Sequence, residues 1–117
     1  MQYFCIYSGP DGESHFEDID VAMTPAGGQS SLSALIPLAG LIFRVSSADQ
    51  FVDWHHAPRR QFVVTLSGEA EVEASDGEIR RIEPGTVMLA EDVTGKGHIT
   101  RGVGTAERVS LFLPLPA

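Results

Sequence analysis

The stretch from Glu69 to Ile82 constrains this chain more than any other. Ala70, Val72 and Ala74 alternate with Glu69, Glu71 and Glu73, a period of two that suits a strand with one buried and one wet face. Asp76-Gly77 follows, a pair favoured in a tight hairpin because both central residues of a type I′ turn need positive φ. Glu78 to Ile82 then reads as the returning strand. A hairpin of this kind is unstable alone and needs further strands packed on its apolar face.

The rest of the chain supplies them. Residues 1–8 (MQYFCIYS) read as a strand closed by the turn Gly9-Pro10-Asp11-Gly12. His15 to Val21 gives a weaker, edge-like alternation, and residues 24–31 (TPAGGQSS) read as a loop. Leu41 to Val45 sets Leu41, Phe43 and Val45 on one face and Ile42 and Arg44 on the other. Gln61 to Leu66 is β-branched and aromatic, ended by Ser67-Gly68. Thr86 to Ala90 follows the Pro84-Gly85 turn, and His98 to Val103 and Arg108 to Leu113 come last. Seven prolines and twelve glycines in 117 residues fit many short elements. Strands about eight to twelve residues apart, with no amphipathic helix, predict an all-β sandwich or barrel in one domain.

Charge and cysteine narrow the function classes. A formal charge of −8 opposes electrostatic binding to nucleic acid or to an anionic membrane. The first cation is Arg44, after Asp11, Glu13, Glu17, Asp18 and Asp20. Such a run is ordinarily a solvated acidic face. Cys5 is alone, so no intramolecular disulfide forms; between Phe4 and Ile6 it reads as a buried small hydrophobe. The start lacks a basic segment followed by an apolar one. Leu32 to Phe43 is interrupted by Pro37 and Gly40 and is too short to span a bilayer. The expectation is a cytoplasmic protein.

Between Trp54 and His98 the order of residues resembles the cupin superfamily. Gly68 stands seven positions after Gln61, where that family's first motif has a glutamate, and His56 stands five before Gln61. Pro84-Gly85 and His98 match the ends of the second motif, and the Asp76-Gly77 hairpin lies between the two. The stretches HHAPRRQ and EDVTGKGH look like those of small bacterial single-domain cupins. The resemblance implies a double-stranded β-helix, or jelly-roll, barrel over residues 1–117, with N-terminal strands in 1–50 and the motif core in 51–113. It also implies a homodimer, with the aromatic first strand (Tyr3, Phe4, Tyr7) as one candidate surface.

The same resemblance implies a pocket with a divalent metal ion (Fe, Mn, Ni, Zn or Cu) on His55, His56, Gln61 and His98. In strict register Trp54 takes the first histidine position, and a one-residue slip or bulge would bring His55 inward instead. Gln61 offers only a neutral carbonyl oxygen where the family has a carboxylate, which weakens the ion's hold.

The bland alternatives stand beside this. His55 and His56 read equally as a solvent-facing and a hydrogen-bonded pair, His98 as a satisfied loop residue, and His15 as a surface or interface residue. If Gln61 faces inward, Val63 and Thr65 line the same wall. Trp54 then offers either a flat ligand-binding surface or core packing. Arg59 and Arg60 suit an anionic ligand, or pairing with Asp53 and Glu71. Lys96, between two glycines, suits a mobile group over the pocket mouth. Gly95-Lys96 lacks the spacing of a phosphate-binding loop, and Gly102-Val103-Gly104 is no dinucleotide fingerprint, so no nucleotide cofactor is expected. Two readings follow. One is an enzyme acting on a small organic molecule, with an anionic one as a candidate, through a metal or a histidine base. The other is a non-catalytic binding or sensor module using the same pocket.

Overall fold

The computed structural model describes all 117 residues. Twelve strands form and no helix. They are β1 Gln2–Ser8, β2 Ser14–Asp20, β3 Thr24–Gly27, β4 Ser30–Leu32, β5 Ile42–Ser46 and β6 Phe51–His55. They continue with β7 Gln61–Ser67, β8 Glu69–Ala74, β9 Ile79–Ile82, β10 Val87–Glu91, β11 His98–Val103 and β12 Arg108–Pro114. The larger sheet has the order β2-β1-β10-β7-β12-β5, and a second sheet has β6-β11-β8-β9. Only β1 and β10 pair in parallel. No helix is long and apolar enough to cross a membrane.

The inner core lies between the two sheets. Ala70, Val72 and Ala74 of β8 are buried against Ile6, Val63, Met88 and Ala90 of the larger sheet, as the alternation of Glu69 to Ala74 predicts. Full burial of a side chain such as Ile6 or Val72 contributes about 1.5–3 kcal/mol. A smaller cluster of Cys5, Phe62 and Leu89 sits on the other face of the larger sheet. Residues 33–38 cross that face, and the backbone N–H of Ala39 donates to the Pro114 carbonyl. Burial, reinforced by Glu91 and Glu17, pushes the Cys5 thiol up to about 11, so it is a packed hydrophobe as expected and no nucleophile.

The closed barrel does not form. Hydrogen bonding leaves β2 and β5 as edges of one sheet and β6 and β9 as edges of the other, whereas closure needs a continuous staggered ladder. On one side, side chains span the gap instead. Arg80 of β9 bonds Asp18 of β2 at 2.7 Å, and buried Ser14 donates its hydroxyl to the Gly97 carbonyl at 2.6 Å.

Two further expectations change, and the orientation of β5 is settled. Residues 24–31 are not all loop, since β3 and β4 pair as a small exposed hairpin. The aromatic strand β1 is hydrogen-bonded on both sides, to β2 and β10, so it offers no free edge to a second copy. In β5 the apolar face points outward: Phe43 is 75% and Val45 62% exposed, while Ser46 is buried.

Candidate functional site

A cavity of about 300 Å³ opens between the sheets. Strand pleating aims alternate side chains into it, so residues distant in sequence meet there. Its polar end is built by β6 and β11. His55 lies opposite His98 in the ladder, their ring centroids 4.3 Å apart. The pairing shifts register between His98 and Thr100, an irregularity that puts Val52 and His55 on the cavity wall and leaves Trp54 off it.

Both rings are held from behind. His98 is buried, and its Nδ1–H donates to Asp92 Oδ2. His55 Nδ1–H donates to the Asp53 carbonyl at 2.8 Å. These contacts fix the tautomer and leave Nε2 as the free nitrogen of each ring. Burial, with His98 acting in the same direction, lowers the His55 pKa below the ordinary histidine value, against the opposing pull of the Asp53 carbonyl. His55 is therefore neutral near pH 7. A neutral imidazole with a free Nε2 accepts a hydrogen bond or a proton from a bound molecule.

The cavity brings together five of the residues singled out in the sequence: His55, His56, Gln61, Val63 and His98. They are not equally available. His56 follows β6, is exposed, and bonds through Nε2 to the Gly95 carbonyl. Gln61 is buried, and its Oε1 accepts a 3.0 Å bond from Arg59 Nη1. Nowhere do three or more His, Cys, Asp or Glu side chains converge in a manner suited to a metal ion. All four residues of the expected ligand set line the cavity; His56 and Gln61 are engaged by Gly95 and Arg59, while His55 and His98 keep a free Nε2.

The other site candidates lie elsewhere. Trp54 is 48% exposed and outside the cavity lining. Thr65 is fully buried and accepts bonds from Arg108 Nε and Nη2 at 3.3 and 3.0 Å. Arg59 is exposed and reaches the site only through Gln61. Lys96 is no mobile lid: its ammonium pairs with Glu13 and its backbone N–H donates to the Gly12 carbonyl at 3.0 Å. His15 sits on the surface between Asp11 and Asp76.

Sequence reading missed three residues of the site. Asp92 lies six positions before His98, and its carboxylate accepts the His98 Nδ1–H bond. Arg44 and Arg108 both line the cavity. Five of the eight Lys and Arg residues (Arg60, Arg80, Arg81, Lys96 and Arg101) pair with carboxylates. Arg44, Arg59 and Arg108 have no carboxylate partner; Arg59 is exposed and bonds the neutral Gln61, while Arg44 and Arg108 line the cavity. The available signal was the alternation Arg108-Ser110-Phe112 opposite Ser46-Arg44-Ile42, two polar residues in phase on each strand.

No protein-family model matches this chain, and no curated protein matches it. Among solved structures it is similar to a conserved protein of unknown function from Streptococcus pyogenes. The identity is 17% and the TM-score 0.48, over 81% of this chain and 95% of that one. A likeness of that size carries no argument about family or function.

Proposed function

We propose that this chain is a cupin-like protein that binds a small organic molecule in the cavity between its sheets, with the His55–His98 pair as the polar contact. The observation that carries this reading is the Asp92–His98–His55 arrangement at the cavity's end. Two imidazoles held from behind, beside an apolar wall of Val63, Val72 and Met88, match the composition of small-molecule sites: mostly apolar, with a few placed polar groups. Either free Nε2 serves as a general base toward a bound molecule, or the pair simply anchors a ligand in a carrier or sensor.

Thermal shift and calorimetry with a panel of small acids, amides and alcohols test the reading. Saturable binding that is lost in His98→Ala supports it. Failure of every probe to bind the wild-type protein contradicts it.

A metal-dependent enzyme is the second reading. It is favoured by one observation: both histidines donate Nδ1–H to an oxygen acceptor, the usual arrangement behind a metal-bound imidazole. His55 and His98 would hold a divalent ion, which when bound supplies a Lewis acid. Metal analysis of protein purified without chelator checks this. Stoichiometric Fe, Mn, Ni, Zn or Cu that is lost in His98→Ala supports it, and a metal-free protein that takes up no added ion contradicts it.

The proposal includes a homodimer joined along β5. That strand is an edge, and its outer face carries exposed Phe43 and Val45, a surface a monomer does not ordinarily leave bare.

A further inference from the structure

We propose that Arg108, with Arg44 beside it, is an oxyanion subsite of this cavity that binds the carboxylate of a small monocarboxylic acid. This rests on the cavity being a ligand site, and it names the ligand class.

Arg108 is 5% exposed, yet its protein acceptor is one neutral hydroxyl, Thr65 Oγ1. A buried guanidinium ordinarily has a carboxylate partner, because its charge is costly to desolvate. Here the neighbouring charge is of the same sign. Arg44 projects from the adjacent strand over the Phe112 ring, 5.2 Å from its centroid, and forms no ion pair. Two like charges facing one cavity leave a local excess of positive charge in a protein of net charge −8.

The surroundings are also incomplete. In the β12–β5 ladder Arg108 lies opposite Ser46, and Ser110 lies opposite Arg44, so all four share one face. The Ser46 and Ser110 hydroxyls are buried and have no hydrogen-bond partner. Buried hydroxyls without partners are rare. The two serines stand on the strand face from which Arg44 and Arg108 enter the cavity, without lining it themselves, and leave those two guanidinium groups with no anionic neighbour there.

Guanidinium groups recognise carboxylate and phosphate alike. The cavity favours the carboxylate: it is small, and Val63, Val72, Met88 and Phe112 give it an apolar wall, which suits an acid with an apolar body better than a bare phosphate. A short apolar body with one acid group fits that wall, and His55 and His98 line the same cavity.

Calorimetry with propionate, benzoate, propionamide and inorganic phosphate tests the assignment. The wild-type protein should bind a carboxylate at least tenfold more tightly than propionamide or phosphate. Arg108→Met should lose at least tenfold of that affinity, and its ligand-free melting temperature should equal or exceed the wild type, since an unpaired buried charge is replaced by an apolar chain. Arg44→Gln, which is less buried, should lose several-fold and serves if Arg108→Met fails to fold. The assignment is overturned if both variants bind the acid as the wild type does. It is overturned equally if phosphate is preferred, or if soluble Arg108→Met melts several degrees lower, which marks a structural arginine. Binding of propionamide as tightly as propionate overturns this subsite alone. If no probe binds, the ligand-cavity reading falls with it.

Discussion

Substituting Gly97 by alanine should damage the site more than any comparable change at a turn, and three glycines allow the reason to be isolated. Gly97 directly precedes His98 and has φ +75°, and a Cβ there would lie 2.1 Å from the His55 carbonyl oxygen. Gly77, in the β8–β9 hairpin, has φ +97° but nothing within 4 Å of the added atom. Gly102, in β11, is the converse: no left-handed φ, but a Cβ 2.1 Å from the Ala48 carbonyl oxygen. Gly77→Ala therefore measures backbone strain alone, about 1 kcal/mol. Gly102→Ala measures steric overlap alone, about 1–3 kcal/mol. Gly97→Ala carries both, so its cost should approach their sum, about 2–4 kcal/mol. Relieving the overlap also pushes the start of β11 away from β6, and with it His98 from His55. Urea denaturation of the three variants, with m-values compared to confirm two-state unfolding, gives the energies. If Gly97→Ala is no more destabilising than Gly77→Ala, the loop does not press on β6 and the account of how His98 is placed is wrong.

Other outcomes follow from single contacts. Asp92→Asn should release the His98 tautomer, giving a measurable population with the proton on Nε2 in long-range ¹H–¹⁵N spectra; an unchanged tautomer would show that Asp92 does not orient the ring. The pKa of His15 is raised by its bonds to Asp11 and then Asp76. Its stabilising effect is therefore complete below about pH 6.5 and lost as pH rises through the folded value. The stability difference between wild type and His15→Gln should accordingly shrink on going to alkaline pH; a constant difference would contradict the pairing. Light scattering at micromolar concentration should give a dimer that Phe43→Glu converts to a monomer, and a monomeric wild type removes the β5 interface.

The sequence made the core hairpin legible because β8 has one polar and one apolar face, and only one orientation buries the second. Gln61, Val63 and Thr65 were likewise readable as one inward face once β7 was recognised. Strand β5 could not be oriented from its sequence. Leu41, Phe43 and Val45 are more apolar than Arg44 and Ser46, yet Arg44 lines the cavity and Ser46 is buried while the apolar set is exposed. Local alternation reports that a strand has two faces and does not report which one meets a ligand site. Strand β6 escaped detection because Phe51 to His55 mixes apolar, acidic and imidazole side chains, and its irregular pairing with β11 exchanges His55 for Trp54. The Arg108 environment was invisible for a longer-range reason. That arginine is unusual only because no carboxylate stands near it, a property of the folded neighbourhood and of no local pattern.

The direct test of the whole account is long-range ¹H–¹⁵N NMR of the four histidines during titration with propionate. Coordinated, saturable shifts of the His55 and His98 Nε2 signals, with His15 unmoved, are the result the proposal predicts. Shifts confined to His15, or no movement of either cavity imidazole at any concentration, would show that the space between the sheets is not where this protein meets a small molecule.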